Sequence, residues 1–265
     1  MDAARMIFPH DRQGSSWKTA RYLAAALITL SVGEHTAPRA YAIDMADCAK
    51  DNLPADHLRA CTGMIYEQGT TPSERGRIYT LRGVAWMRED EPTAAISDFT
   101  RAIDINAENI AALKGRARAY MALERYDQAV EDWSRIIAVR PKAEENYRER
   151  ADANLAAGKT SEALADYDRA IAIDAINPDS YIGKGRVYGE LRKREEAMRE
   201  FDNAIRVNPD YPAVYMARGA VSESLGDTEI AIASYQAVLK YDGAYWYAIR
   251  ALQRLGGDWT TYRRK

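Results

Sequence analysis

The sequence predicts an all-α chain built as an array of antiparallel helix pairs, and three observations predict it. Beyond residue 75 the chain repeats every 34 residues without a gap, with units at 76–109, 110–143, 144–177, 178–211 and 212–245. Within each unit the apolar and small residues at positions 4, 8 and 11, and again at 20, 24 and 28, recur at helical spacing. Between the two runs lies a break such as "REDEP" (88–92) or "AAGKT" (156–160), where Gly or Pro ends one helix and opens the next.

The repeat is legible residue by residue. Position 8 is small (Gly83, Ala117, Ala151, Gly185, Gly219), position 20 is always alanine (Ala95, Ala129, Ala163, Ala197, Ala231), and position 24 is always aromatic (Phe99, Trp133, Tyr167, Phe201, Tyr235). Small residues let two helix backbones approach while the aromatic ring fills the space beside them. Pro141 and Pro209 fit turns into the following unit.

Residues 1–42 read as an export signal. Lys18 and Arg21 precede an apolar run, Tyr22 to Val32, and a polar stretch closes on "AYA", Ala40 to Ala42. The run is too short for a spanning helix, which needs roughly 20 apolar residues. Cleavage is expected after Ala42, with an uncleaved membrane anchor as the alternative and the only expected membrane contact. No cysteine follows Ala42 directly, which argues against a lipoprotein. Residues 1–42 hold five basic and three acidic residues, so 32 and 36 remain, a net charge of −4. Such a balance gives no broad electrostatic reason to bind nucleic acid.

Catalytic chemistry finds little footing. His57 is the only histidine left after the signal, so a Ser/His/Asp or Cys/His site lacks a convincing base. "GKGRVYG" (183–189) misses the phosphate-loop spacing and follows a helical turn. No catalytic residues, metal site or cofactor are expected. A ladder of basic residues at position 7 (Arg82, Arg116, Arg150, Lys184, Arg218) faces acidic ones at position 23 (Asp98, Asp132, Asp166, Glu200), failing at Ser234. It reads as ion pairs between helices, worth about 0–1 kcal/mol each if exposed.

Length, alternation and signature residues over these 170 residues resemble the tetratricopeptide repeat (TPR) family. Departures are modest: Asn154 and Ser222 stand where Trp86, Tyr120 and Tyr188 supply an aromatic at position 11, and Ile136 and Val238 replace the usual alanine at position 27, all four expected to loosen local packing. The resemblance implies a right-handed superhelix whose concave groove is lined by the first helix of each unit. Lys114, Arg118, Arg148 and Arg186 then form a basic patch across the middle units, with Met87 and Met121 among the apolar lining. Such a groove suits a protein or peptide carrying acidic groups. The two-carboxylate clamp of chaperone-binding members is absent, since Arg118, Glu149, Asp179 and Gly183 occupy its positions.

Slid back over residues 43–75, the template aligns "HLRACTGMI" (57–65) with "AISDFTRAI" (95–103). Cys48 then falls at position 11 and Cys61 at position 24, in a degenerate capping unit with a four-residue insertion around "GTTPSE". "ADHLRACT" also resembles a motif of exported TPR proteins of alpha-proteobacteria. In an oxidising compartment the pair is expected to form a disulfide; a reactive dithiol and a metal site are the alternatives. The segment 246–265 is expected to close the array: "AYWYAIRALQRL" (244–255) reads as an amphipathic capping helix with Ile249, Leu252 and Leu255 inward, followed by a disordered tail. The functional expectation is a non-catalytic interaction scaffold in a periplasm or outside the cell. The alternatives are a regulatory subunit of an envelope enzyme or transport complex, and a self-assembling oligomer; oligomeric state is not readable.

Overall fold

The computed structural model describes residues 54–262, which fall within one compact unit. The expected signal segment, Cys48 and the start of the capping unit lie outside the described residues. Twelve α-helices follow one another: α1 (Pro54–Tyr66), α2 (Pro72–Arg88), α3 (Pro92–Ile105), α4 (Ile110–Ala122), α5 (Tyr126–Val139), α6 (Glu144–Ala156), α7 (Thr160–Ile173), α8 (Pro178–Glu190), α9 (Arg194–Val207), α10 (Pro212–Leu225), α11 (Thr228–Tyr241) and α12 (Trp246–Leu255). They pack as sequential antiparallel pairs, α2 with α3 through α10 with α11. No helix among the described residues is long and apolar enough to cross a membrane.

The helix boundaries repeat with the sequence. Every second helix starts at position 17 of its unit and ends at position 30. The turn before it places position 15 in the left-handed region in all five units: Asp90 (φ 59°), Glu124 (58°), Gly158 (75°), Arg192 (58°) and Gly226 (86°). Glycine adopts that conformation freely, whereas the three charged residues carry a steric cost of about 1–2 kcal/mol each. Proline opens α2, α3, α8 and α10, where its missing N–H is no loss.

The four-residue insertion expected around "GTTPSE" is taken up by the start of α2. Thr71 caps α2 through a reciprocal box with Glu74 (Thr71 N to Glu74 Oε2, 2.8 Å; Glu74 N to Thr71 Oγ1, 3.2 Å). The helix therefore starts at Pro72, one turn early, and reaches 17 residues against 13 for α4. Four residues are close to one helical turn, so the insertion lengthens α2 without rotating its buried face.

The position-24 ring is the core of each unit. Phe99, Trp133, Tyr167 and Phe201 are fully buried and Tyr235 nearly so. A Cβ added at Gly83 would sit 2.6 Å from the Phe99 ring, and one at Gly115 of the next unit 2.3 Å from it. The ring is thus wedged between its own first helix and the next one. Tyr167 meets Gly183 in the same way. The polar departures at position 11 do not loosen the packing. Asn154 is buried and donates to Asp166 Oδ2 (3.2 Å), and Ser222 is buried with its hydroxyl 3.7 Å from the Met198 sulfur. Ile136 and Val238 also fill the interior.

The charge ladder is largely withdrawn from solvent: Arg82 and the acidic Asp98, Asp132, Asp166 and Glu200 are buried, and the other position-7 bases are half-buried. Arg82 grips Asp98 with two bonds (2.7 and 2.8 Å), and Arg116 and Arg150 grip Asp132 and Asp166 alike. Each also reaches back to a hydroxyl at position 25 of the preceding unit. Arg82 donates to Thr62 (2.9 Å), Arg116 to Thr100 (3.1 Å) and Arg150 to Ser134 (3.0 Å). Further along, position 25 is itself acidic: Lys184 holds Asp168 (2.8 Å) as well as Glu200 (3.2 Å), and Arg218 reaches Asp202 (3.5 Å) while donating to Ser234 (3.0 Å). The acidic partner missing at Ser234 is supplied by the neighbouring unit. Because Thr62 on α1 serves Arg82 as Thr100 serves Arg116, α1 docks on α2 as each second helix docks on the following unit.

The array ends on α12, a sixth first helix in the same register, which buries Ala248, Ala251 and Leu252, with Ile249 and Leu255 half-buried. Of the tail expected to be disordered, the part up to Tyr262 is packed, while residues 263–265 lie outside the described residues. Trp259 and Tyr262 join the terminal core, a 3₁₀ turn covers Thr260–Tyr262, and Gln236 donates to the Asp258 carbonyl (2.9 Å).

Asp132→Ala leaves Arg116 buried without its carboxylate and is expected to cost about 3–5 kcal/mol, read from the urea midpoint. Asp202→Ala removes a partner that is 71% exposed and should cost less than about 1 kcal/mol. Equal losses would contradict the burial argument.

Candidate binding groove

First helices of successive units touch one another more than second helices do. The array therefore curves with α2, α4, α6, α8 and α10 on its inner side. This places Lys114 and Arg118 on α4, Arg148 on α6 and Arg186 on α8 along one face, with Met87 on α2 and Met121 on α4 half-buried beside them.

The basic residues do not stand alone on that face. Lys114 Nζ lies 3.0 Å from Glu145 Oε2, and Arg118 reaches Glu149 at 3.2 Å and Glu145 at 3.9 Å. Glu145 and Glu149 are one turn apart on α6, as Lys114 and Arg118 are on α4, so two rungs join the helices. The Lys114 bond holds the Glu145 carboxyl below its ordinary range. Sequence reasoning counted the bases and missed these acids. The signal was present as opposite charges 31 residues apart, a spacing that recurs between Glu223 and Arg254, which meet at 2.7 Å.

Between α6 and α8 the arrangement changes. The Tyr167 hydroxyl donates to Asp152 Oδ1 (2.6 Å), and Arg186 approaches the same oxygen only to 3.9 Å. Burial pushes the Asp152 carboxyl up despite the tyrosine bond, and burial beside Asp152 pushes the Tyr167 hydroxyl well up. Asn177 donates to Glu144 (2.9 Å) and Tyr211 to Asp179 (2.9 Å). Arg148 sits amid these groups. Burial opposes its charge, yet Asp152, Asp179, Glu149 and Glu144 outweigh that cost and hold its pKa above the ordinary value. None of the four forms an ion pair with it, and its Nε finds no acceptor among the described residues.

The indole N–H of Trp133 is also buried without an acceptor among the described residues, while the Lys114 ammonium stands 6.0 Å from the ring centroid. The face is chemically suited to holding a polypeptide. It offers charges of both signs, hydroxyls, two methionines and buried donors with spare capacity. Cys61 is fully buried in α1, away from this face, and its expected partner lies outside the described residues. Among the described residues no group of three His, Cys, Asp or Glu side chains is placed to hold a metal.

Three tetratricopeptide-repeat family models match the chain, over residues 114–180, 154–221 and 212–245. Among solved structures, a tetratricopeptide repeat protein from Parabacteroides merdae is similar at a TM-score of 0.65 and 17% identity, covering 76% of this chain and 82% of that one. A thermophilic TPR protein of Thermus thermophilus is similar at 0.57 and 22%, covering 68% and 98%. YrrB, described as a TPR protein with an unusual peptide-binding site, is similar at 0.50 and 14%, covering 74% and 99%. No curated protein is significantly similar in sequence.

Proposed function

Since the chain belongs to the tetratricopeptide-repeat proteins, we propose that it is a non-catalytic interaction scaffold that holds a protein or peptide on its inner face, outside the cytoplasm. The observation that carries this reading is Arg148, a half-buried guanidinium in mid-groove with no ion pair among the described residues and a buried Nε–H without an acceptor. A buried donor without an acceptor is costly, and a partner that supplies one recovers that cost. Lys114, Arg118 and Arg186 exchange their present carboxylates for those of the partner, while Met87 and Met121 adapt to its apolar side chains. The peptide-binding site attributed to YrrB, a protein of similar fold, supports a peptide-holding use of this architecture.

Export rests on residues 1–42, whose charged lead, apolar run and Ala40–Ala42 site have the form of a secretory signal. It is supported by the cysteines. Cys61 is fully buried and no cysteine among the described residues is free, which fits a Cys48–Cys61 disulfide in the capping unit. A terminal unit has a neighbour on one side only, so a covalent staple there compensates for missing contacts. The chain extracted under thiol-blocking conditions is expected to show no reactive thiol. Cys48→Ser/Cys61→Ser is expected to be less stable by about 3 kcal/mol, with α1 exchanging first. A reactive thiol pair in the extracted chain would refute both the staple and the oxidising compartment.

The scaffold reading is tested by crosslinking and capture from the native envelope, comparing wild type with Lys114→Glu/Arg118→Glu/Arg148→Glu after circular dichroism confirms the helical fold. Wild type is expected to capture one dominant polypeptide and the variant to lose it. Retention by the folded variant would move the binding surface elsewhere.

A further inference from the structure

We infer that the α12 end of the array is a docking surface for an anionic phospholipid bilayer, with Tyr245, Trp246 and Tyr247 entering the headgroup layer and Arg250 meeting its phosphates. The inference goes beyond the scaffold reading and does not depend on it.

The charge of the chain is unevenly divided. Residues 240–265 carry six basic side chains (Lys240, Arg250, Arg254, Arg263, Arg264 and Lys265) against Asp242 and Asp258, a net charge of +4. Residues 43–239 carry 26 basic and 34 acidic residues, a net charge of −8. Arg263, Arg264 and Lys265 add charge to this end from outside the described residues. A basic end on an otherwise acidic chain selects a partner with a negative surface.

The exposed rings lie at that same end. Among the described residues four aromatic side chains are exposed. Three of them, Tyr241 (43%), Tyr245 (37%) and Trp246 (49%), fall within six residues, and the fourth is Tyr66 on α1. The other exposed large apolar residues are aliphatic and scattered along the units, which is ordinary for a protein surface. Tyr247 joins the rings of α12 into one patch: its centroid lies 3.6 Å from that of Trp246 and 6.3 Å from that of Tyr245. One turn along the helix, the Arg250 guanidinium stands 5.6 Å from the Trp246 centroid. Because α12 buries Ala248, Ala251 and Leu252, Trp246, Arg250 and Gln253 share its exposed face at helical spacing. Arg254 is held by Glu223 (2.7 Å), whereas Arg250 forms no ion pair among the described residues.

Tyrosine and tryptophan flanked by basic side chains match the chemistry of a membrane–water interface. There the amphipathic rings sit at headgroup level and the cations are drawn to anionic lipid. No aliphatic side chain larger than alanine is exposed between 240 and 262, and no described helix can cross a bilayer, so the contact is shallow. The same negative surface holds off the acidic units behind α12, which leaves α4 to α8 open to a partner.

The full chain is mixed with vesicles of phosphatidylcholine, with or without phosphatidylglycerol, in which the phosphatidylcholine carries brominated acyl chains that quench tryptophan emission on contact. The emission that Trp246→Phe removes belongs to Trp246, so the readout is separate from any contact made by residues 1–42. Saturable quenching of that emission is expected with phosphatidylglycerol present, none with phosphatidylcholine alone, and release on raising the salt. Arg250→Glu, with its helical fold confirmed by circular dichroism, is expected to raise the lipid concentration for half-maximal quenching at least about fivefold. Tyr245→Ala is expected to raise it as well. Trp246 emission that is unquenched by the anionic vesicles, quenched equally by the neutral ones, or indifferent to Arg250→Glu overturns the surface. A solution dimer that Trp246→Ala dissolves, with no quenching by vesicles, also overturns it and assigns the patch to a second copy of the chain. Envelope capture with the groove variant tests the scaffold reading separately.

Discussion

Everything in this array depends on one interaction, the guanidinium or ammonium at position 7 that ties position 23 of its own unit to position 25 of the unit before. A helix pair buries too little surface to stand alone, so each unit relies on its neighbours. Apolar packing supplies the driving force but tolerates small slides between helices. A planar guanidinium bonded twice to one carboxylate and once to a hydroxyl on the previous unit permits a single docking position. Buried ion pairs roughly break even against apolar replacements, so what this one contributes is register more than net stability. The same contact, repeated from Thr62–Arg82 to Asp202–Arg218, transmits a fixed step from unit to unit.

That fixed step makes the inner face a surface with chemical order. Position 5 of one first helix meets position 2 of the next, and position 9 meets position 6, so Lys114–Glu145 and Arg118–Glu149 form rungs, not a loose basic patch. The position-24 tyrosines carry their hydroxyls from the core to carboxylates on the first helices, Tyr167 to Asp152 and Tyr235 to Glu223. The inner face and the core are therefore linked through shared residues, Tyr167 among them. A change in either alters packing and recognition together.

The fold was legible because its determinants are periodic. Thirty-four-residue recurrence of Ala at position 20 and an aromatic at 24 placed the helix pairs and their turns, and the position-7 bases were visible as a ladder. Burial of that ladder was not visible, since a charge pattern looks the same on a solvated face and in an interface. The extra turn of α2 was hidden for a related reason: "GTTPSE" carries loop residues, yet Thr71, Pro72 and Glu74 are also a helix start. In the groove, the bases could be named from their positions, but their acidic partners come from the next unit and were found only by pairing residues 31 apart. The unmet donors of Trp133 and Arg148 leave no trace in the sequence, because an orphan is defined by what surrounds it.

The account turns on the inner face being where a partner sits. Hydrogen–deuterium exchange on the complex with the captured partner tests this most directly. Protection is predicted in α4 and α6, extending to α8, with α3, α5 and α7 unchanged. Protection confined to the second helices, or to α12 and the turn after it, would contradict the account.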